Sequence, residues 1–144
     1  MIAEGLTVGR EYFVNFKLFP YKTPDDWTNV LHFTTGKNIG TLGSRIPAIF
    51  VTDGKILVNS YIHGHASYGF IFRTKSLANT TIDIKIQQVL VDEKYYLELI
   101  VNNESKHQIV NTKPQVFENV KLYVSDPWHK ALPGYITSLQ YSAG

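Results

Sequence analysis

Three groups of side chains in this 144-residue chain have the types and spacing that binding chemistry needs. The first is Asp126-Pro127-Trp128-His129, where an indole stands between a carboxylate and an imidazole. An aromatic ring lays its apolar face against the C–H face of a sugar, while polar neighbours fix the hydroxyls. Asp126, Trp128 and His129 therefore form a candidate saccharide platform; the alternative is that Trp128 covers one open end of the fold. The second group is Asn59, Tyr61 and His63, which alternate along one expected strand and so would share a face. His63-Gly64-His65 also offers two imidazoles to a metal, without a third ligand nearby in sequence, and otherwise reads as a polar turn. The third is Arg45, behind Gly43-Ser44 and before Ile46-Pro47. Its guanidinium would grip a carboxylate or a pair of sugar hydroxyls, or would tie the glycine-rich loop to a strand edge through an internal acid. Outside these roles His32, His107 and His129 read as surface or rim residues.

Catalytic patterns are weaker. A retaining glycosidase needs two carboxyl groups about 5 Å apart, a spacing that alternate positions of one strand supply. Here the acids fall in turns (Asp25, Asp26, Asp53, Asp92, Glu93) or singly in strands (Asp83, Glu98, Glu118). There is no G-x-S-x-G, no P-loop and no H-E-x-x-H. The reading is of a protein that is not an enzyme, with a glycoside hydrolase assembled from sequence-distant carboxylates as one rival.

The elements that position these groups announce themselves by alternation. Apolar residues recur with a period of two, broken by turn residues every eight to twelve positions. Expected strands cover 11–19, 29–34, 45–51, 55–62, 68–73, 80–91, 95–101, 106–110, 116–124 and 135–141. The clearest is 80–91, where Ile82, Ile84, Ile86 and Leu90 alternate with Thr81, Asp83, Lys85 and Gln87. Asp53-Gly54 reads as a type I′ hairpin, and Asp92-Glu93 and Asn102-Asn103 as further turns. About ten or eleven strands without a helical window imply two packed antiparallel sheets or a barrel. The last strand is expected to return to the sheet where the chain began. With no linker and no repeat, residues 1–144 read as one domain.

Composition narrows the partners. The chain is 44% hydrophobic and 18% charged, with net charge +2 and no cysteine, which excludes disulfides and cysteine-based zinc sites. Lys and Arg are scattered, so nucleic acid is not an expected partner. No apolar run is long enough for a membrane span. The first residues carry no signal-peptide pattern, while the sequons Asn79-Thr80-Thr81 and Asn103-Glu104-Ser105 fall in expected turns. Secretion and a cytoplasmic setting are both open, with secretion preferred.

From residue 45 to 139 the order of motifs resembles the laminin G-like, concanavalin-type jelly roll. Ala48-Ile49-Phe50-Val51-Thr52-Asp53-Gly54-Lys55-Ile56-Leu57-Val58 resembles its strand, D-G hairpin and strand. Tyr96-Leu97-Glu98-Leu99-Ile100-Val101-Asn102-Asn103 resembles a later strand ending in a polar turn. Val120-Lys121-Leu122-Tyr123-Val124 with Pro133-Gly134-Tyr135-Ile136 resembles the closing element, except that Tyr135 stands where many such modules carry a disulfide-bonded cysteine. Galectins share the sandwich, but their consecutive signatures are missing. The resemblance implies an all-β, two-sheet antiparallel sandwich and a recognition module. It also implies a rim calcium site in many relatives, for which Asp53, Asp126, Asn59 and Asn102 are available; no cofactor is otherwise expected. The combined reading is a carbohydrate-binding lectin, its partners glycans or a glycosylated protein and its site drawn from Arg45, Asn59, His63, His65, Asp126, Trp128 and His129. Homo-oligomerisation would supply avidity. The second rival is a protein-binding adhesion or structural module.

Overall fold

A computed structural model describes residues 1–24, 26–52, 54–74 and 78–142. These residues form two sheets. The larger runs in the order β1 (Ala3–Val8), β10 (Phe117–Val124), β3 (Thr28–Thr34), β4 (Ala48–Thr52), β5 (Lys55–Ile62) and β6 (His65–Arg73), and the short β11 (Lys130–Ala131) joins it by pairing with β3. The smaller runs β12 (Gly134–Ser142), β2 (Tyr12–Pro20), β7 (Ile82–Val91), β8 (Lys94–Val101) and β9 (Glu104–Asn111). All pairings are antiparallel except β11 with β3.

Alternation explains the core. Val14, Ile86 and Leu99 sit side by side on β2, β7 and β8, and Phe16, Ile84 and Val101 form the next row. On the larger sheet Leu31, Ile49, Val58 and Phe70 make the facing row across β3 to β6. Burying one such side chain stabilises by about 1.5–3 kcal/mol, so the two inner faces hold the sheets together. The β7–β8 and β8–β9 turns carry positive φ at Asp92 and Glu93, and at Asn102 and Asn103, as the expected two-residue turns require. In the β4–β5 hairpin Thr52 pairs with Lys55 and Gly54 has φ of 64°. The Asp53 half of that expected hairpin lies outside the described residues, as does Asp25 of the acidic pair.

Three expectations are corrected. The last strand returns to the first strand expected, since β12 pairs with β2, but the chain itself begins one strand earlier in the other sheet, where β1 pairs with β10. Strand β1 was not expected at all, because Gly5 at φ 67° and two register shifts break its alternation. Finally, Asn59, Tyr61 and His63 do not share a face. The β5–β6 register slips between Ser60 and Ile62, which turns Tyr61 into the core, where its ring meets Phe117 edge-on at 5.4 Å.

Every residue of β3 is buried, on both faces. One face belongs to the core. The other is covered by two connections, residues 35–47 and 125–129, and that cover builds the site described next.

Candidate ligand-binding cleft on the larger sheet

The cleft begins with a carboxylate. Asp126 is 3% exposed, although it follows directly on an edge-proximal strand end. Ser125 before it takes a positive φ of 64°, and the Asp126 N–H donates to Asn29 Oδ1 at 2.8 Å, which turns the side chain inward over β3. There Oδ1 accepts the backbone N–H groups of Trp128 (3.0 Å) and His129 (2.9 Å), the Asx arrangement that ties a short turn to its first residue. The Nδ1 of His129 lies 3.0 Å from both oxygens, and the Nδ1 of His32 lies 2.7 Å from Oδ2. Four donors thus fill the roughly four lone-pair positions of one carboxylate. Burial by itself would raise the Asp126 pKa, but the hydrogen bonds from His32, His129 and the Trp128 N–H outweigh it and hold the group below its ordinary value.

His32 is fully buried, which corrects its expected place on the rim. Its Nε2 donates to the Ser44 carbonyl at 2.7 Å while Nδ1 faces the carboxylate. Both partners are acceptors, so each ring nitrogen faces a group to which it can donate. The ring therefore clamps the 125–129 turn to the 35–47 connection from beneath. Gly43, at φ 83°, lets that connection pass close: a Cβ there would stand 2.7 Å from the Thr35 methyl.

Parallel pairing supplies the rest. Lys130 and Ala131 lie beside Thr28 and Asn29, so the residues just before them, His129 and Trp27, are brought to the same end of β3. Asp26, Trp27, Trp128, His129 and Lys130 then line a shallow cleft of about 480 Å³ together with Arg45, Phe50 and Leu57. Phe50 and Leu57 are register partners on β4 and β5, and their side chains face away from the core. Trp128 is 40% exposed and meets His32 and Tyr123 edge-on, at 5.5 and 5.9 Å. It lies on the outer face of the sheet and does not close the gap between the sheets. His129 meets Phe50 edge-on at 4.8 Å.

Arg45 is 8% exposed and lies over the Phe50 ring at 4.7 Å. It does tie the glycine-rich loop down, but through an amide and not an acid: Nε donates to the Asn38 carbonyl at 3.0 Å and Nη2 to Asn38 Oδ1 at 3.2 Å. Burial pushes its pKa below the ordinary value, opposed by the negative charge of Asp126.

Of the residues expected from sequence, Arg45, Trp128 and His129 meet at this cleft, with Asp126 beneath them. Asn59 lies on the same outer face, two residues along β5 from Leu57, and its side chain has no hydrogen-bond partner among the described residues. Gly69 beside it keeps the amide uncovered, since a Cβ there would stand 3.1 Å from Asn59 Nδ2. His63 and His65 sit elsewhere. His63 is in the β5–β6 turn, roughly 20 Å along the strand from Leu57 at the usual rise. Its N–H donates to Asn111 Oδ1 at 3.1 Å, and Nδ1 accepts the Thr112 N–H at 3.1 Å. No group of three metal-ligating side chains occurs among the described residues. Trp27, Phe50 and Leu57 were missing from the expected set; only an assignment of faces to β4 and β5 would have found the last two.

No protein-family model matches the chain, and no curated protein matches it by sequence. Solved structures do. The receptor-binding domain of botulinum neurotoxin D superposes with a TM-score of 0.66 at 12% identity, over 99% of this chain and 35% of that one. The binding domain of botulinum neurotoxin serotype G gives 0.64 at 9%, over 96% of this chain and 34% of that one. Sheep galectin-11 gives 0.53 at 15%, covering 99% of this chain and all of the galectin. The chain thus spans about a third of the toxin chains. At such identities the likeness is one of fold: an all-β sandwich of two antiparallel sheets.

Proposed function

We propose that the chain is a carbohydrate-recognition module and that its saccharide binds in the Trp27–Trp128 cleft. The observation that carries this is the meeting of apolar and oriented polar groups in one cleft: Phe50, Leu57 and two indoles line it together with Arg45, which lies over the Phe50 ring, and His129. With Nδ1 of His129 turned to Asp126, its Nε2 is left for a sugar hydroxyl. Asn59 would extend the floor by one strand step with an amide whose donors and acceptor are unpaired among the described residues. The solved structures of similar fold include a galectin and toxin receptor-binding domains, which agrees with a binding role.

The carboxylates at the cleft are Asp26, exposed at the rim, and Asp126, whose oxygens are filled. They give a glycosidase reading no free pair to work with. An extracellular setting belongs to the proposal, and the two sequon asparagines, Asn79 and Asn103, are exposed in turns as it requires. No helix among the described residues is long and apolar enough to cross a membrane.

A glycan array probed with the purified chain, with and without EDTA, tests the reading. Binding to defined glycans that is lost in Trp128→Ala supports it, and persistence in EDTA separates it from a calcium-dependent site. Silence across the array, from a chain shown to be folded, refutes it.

A further inference from the structure

Among the described residues Arg45 finds no carboxylate partner. No ion pair within 4 Å joins it among the described residues, and Asp126, the negative charge that acts on it, has its lone pairs taken by His32, His129 and the Trp128 N–H. A guanidinium that is 8% exposed and unpaired is costly, because burying a charge is repaid only by pairing and hydrogen bonding. Its geometry shows what is missing. Asn38 occupies one edge of the planar fork, through Nε and Nη2. Five N–H donors less those two leave three, on Nη1 and the outer side of Nη2, and this second edge is the one that receives the two oxygens of an anion. The Phe50 ring takes one face of the guanidinium and holds the fork in place.

The other charges at the cleft do not fill that edge. Lys130 and Asp26 stand 3.8 Å apart at the rim, largely exposed, and offset each other. His32 and Asp126 form a closed pair underneath. Among the described residues the cleft is therefore left with one pre-oriented positive group whose outer edge has no partner, in a lining that also holds two indoles.

We infer that the ligand is an acidic saccharide, whose carboxylate or sulfate ester is gripped end-on by Arg45 while Trp27 and Trp128 hold the ring. This rests on the saccharide reading above and specifies its substrate class. Carboxylate and sulfate share the planar pair of oxygens that the fork recognises, and the two sources are distinguished below.

The test is titration calorimetry of the full chain with three matched oligosaccharides: a neutral one, the same one ending in a uronate, and the same one bearing a sulfate ester. At low salt, at least one acidic form is expected to bind ten-fold or more tightly than the neutral form, with the gap narrowing as salt rises. Which acidic form wins identifies the source. Arg45→Lys keeps the charge but lacks the fork, so the gap should shrink to about two- or three-fold. Arg45→Gln should abolish it, and Trp128→Ala should weaken all three ligands together. If Arg45→Gln fails to fold, wild type and Arg45→Lys still decide the matter. Equal binding of neutral and acidic forms by wild type, or a gap that Arg45→Lys leaves intact, overturns the acidic inference while the saccharide reading stands. Failure of all three to bind, together with a silent array, brings down both.

Discussion

Removing the Asp126 carboxylate should unlock the whole cleft, and the size of the effect follows from its partners. Asp126→Ala leaves His32 Nδ1, His129 Nδ1 and the N–H groups of Trp128 and His129 facing no acceptor. Deleting one partner of a buried, hydrogen-bonded charge pair costs about 3–5 kcal/mol. Asp126→Asn is gentler. Its Oδ1 still accepts the two backbone N–H groups, and its Nδ2 can donate to His32 Nδ1 once that nitrogen gives up its proton, with Nε2–H remaining on Ser44. One charge-assisted bond becomes a neutral one and His129 is held less firmly, a loss of about 1–3 kcal/mol. Urea denaturation at an unchanged m-value measures both. The depressed pKa of Asp126 adds a pH signature. A carboxylate lowered on folding contributes stability that is fully present above its unfolded value of about 3.9 and is lost as pH falls through its folded value. Below about pH 4 the wild type should therefore lose stability more steeply than Asp126→Ala. An alanine variant that costs less than about 1 kcal/mol, an asparagine variant that costs as much as alanine, or parallel acid limbs would refute the reasoning.

Gly134→Ala should be among the most damaging small substitutions, because a Cβ there runs into the carbonyl oxygen of Phe19 on the paired strand; loss of the β12–β2 edge would appear as a large fall in Tm. Tyr12 is partly buried, and desolvation of its hydroxyl chiefly pushes its pKa up to about 12, against a weak bond to Ser60. Its contribution to stability is present below about pH 10 and is lost as pH rises toward 12, so Tyr12→Phe should flatten that alkaline limb in thermal melts. His65→Ala, at the distant start of β6, should leave glycan affinity within about two-fold of wild type, whereas Trp128→Ala should not; equal effects would move the site away from the cleft.

Most of the fold was legible because a half-buried strand writes itself as alternation, and β2, β7 and β8 do so without a break: Val14, Phe16 and Leu18 face Ile86, Ile84 and Ile82 across the ladder. Where the alternation is interrupted the reading failed. β1 carries Gly5 and two register shifts, and Tyr61 follows a slip that rotates it by one face. A one-residue shift inverts every later side chain, so no periodicity argument survives a bulge it cannot see.

The cleft was half legible for a different reason. Asp126, Trp128 and His129 are neighbours in sequence, and a short Asx-type turn keeps them together, so their grouping needed no tertiary knowledge. Trp27 and Arg45 reach them only through long-range pairing: the two-residue parallel contact of β11 with β3, and the 35–47 connection clamped by His32. Two residue pairs leave no pattern in a sequence. His32 shows the limit most clearly, since its surroundings in the chain, Leu31 and Phe33, are those of an ordinary core strand, and a polar residue between them reads as solvent-facing. It is buried because the outer face of β3 is itself covered, and that cover carries Asp126 and, beside it in the cleft lining, Trp128 and Arg45. A histidine at an outward strand position is thus evidence about what lies over the sheet: with both nitrogens donating, it implies two acceptors above it, and here those acceptors are Ser44 and Asp126, on the two connections that border the cleft proposed to bind.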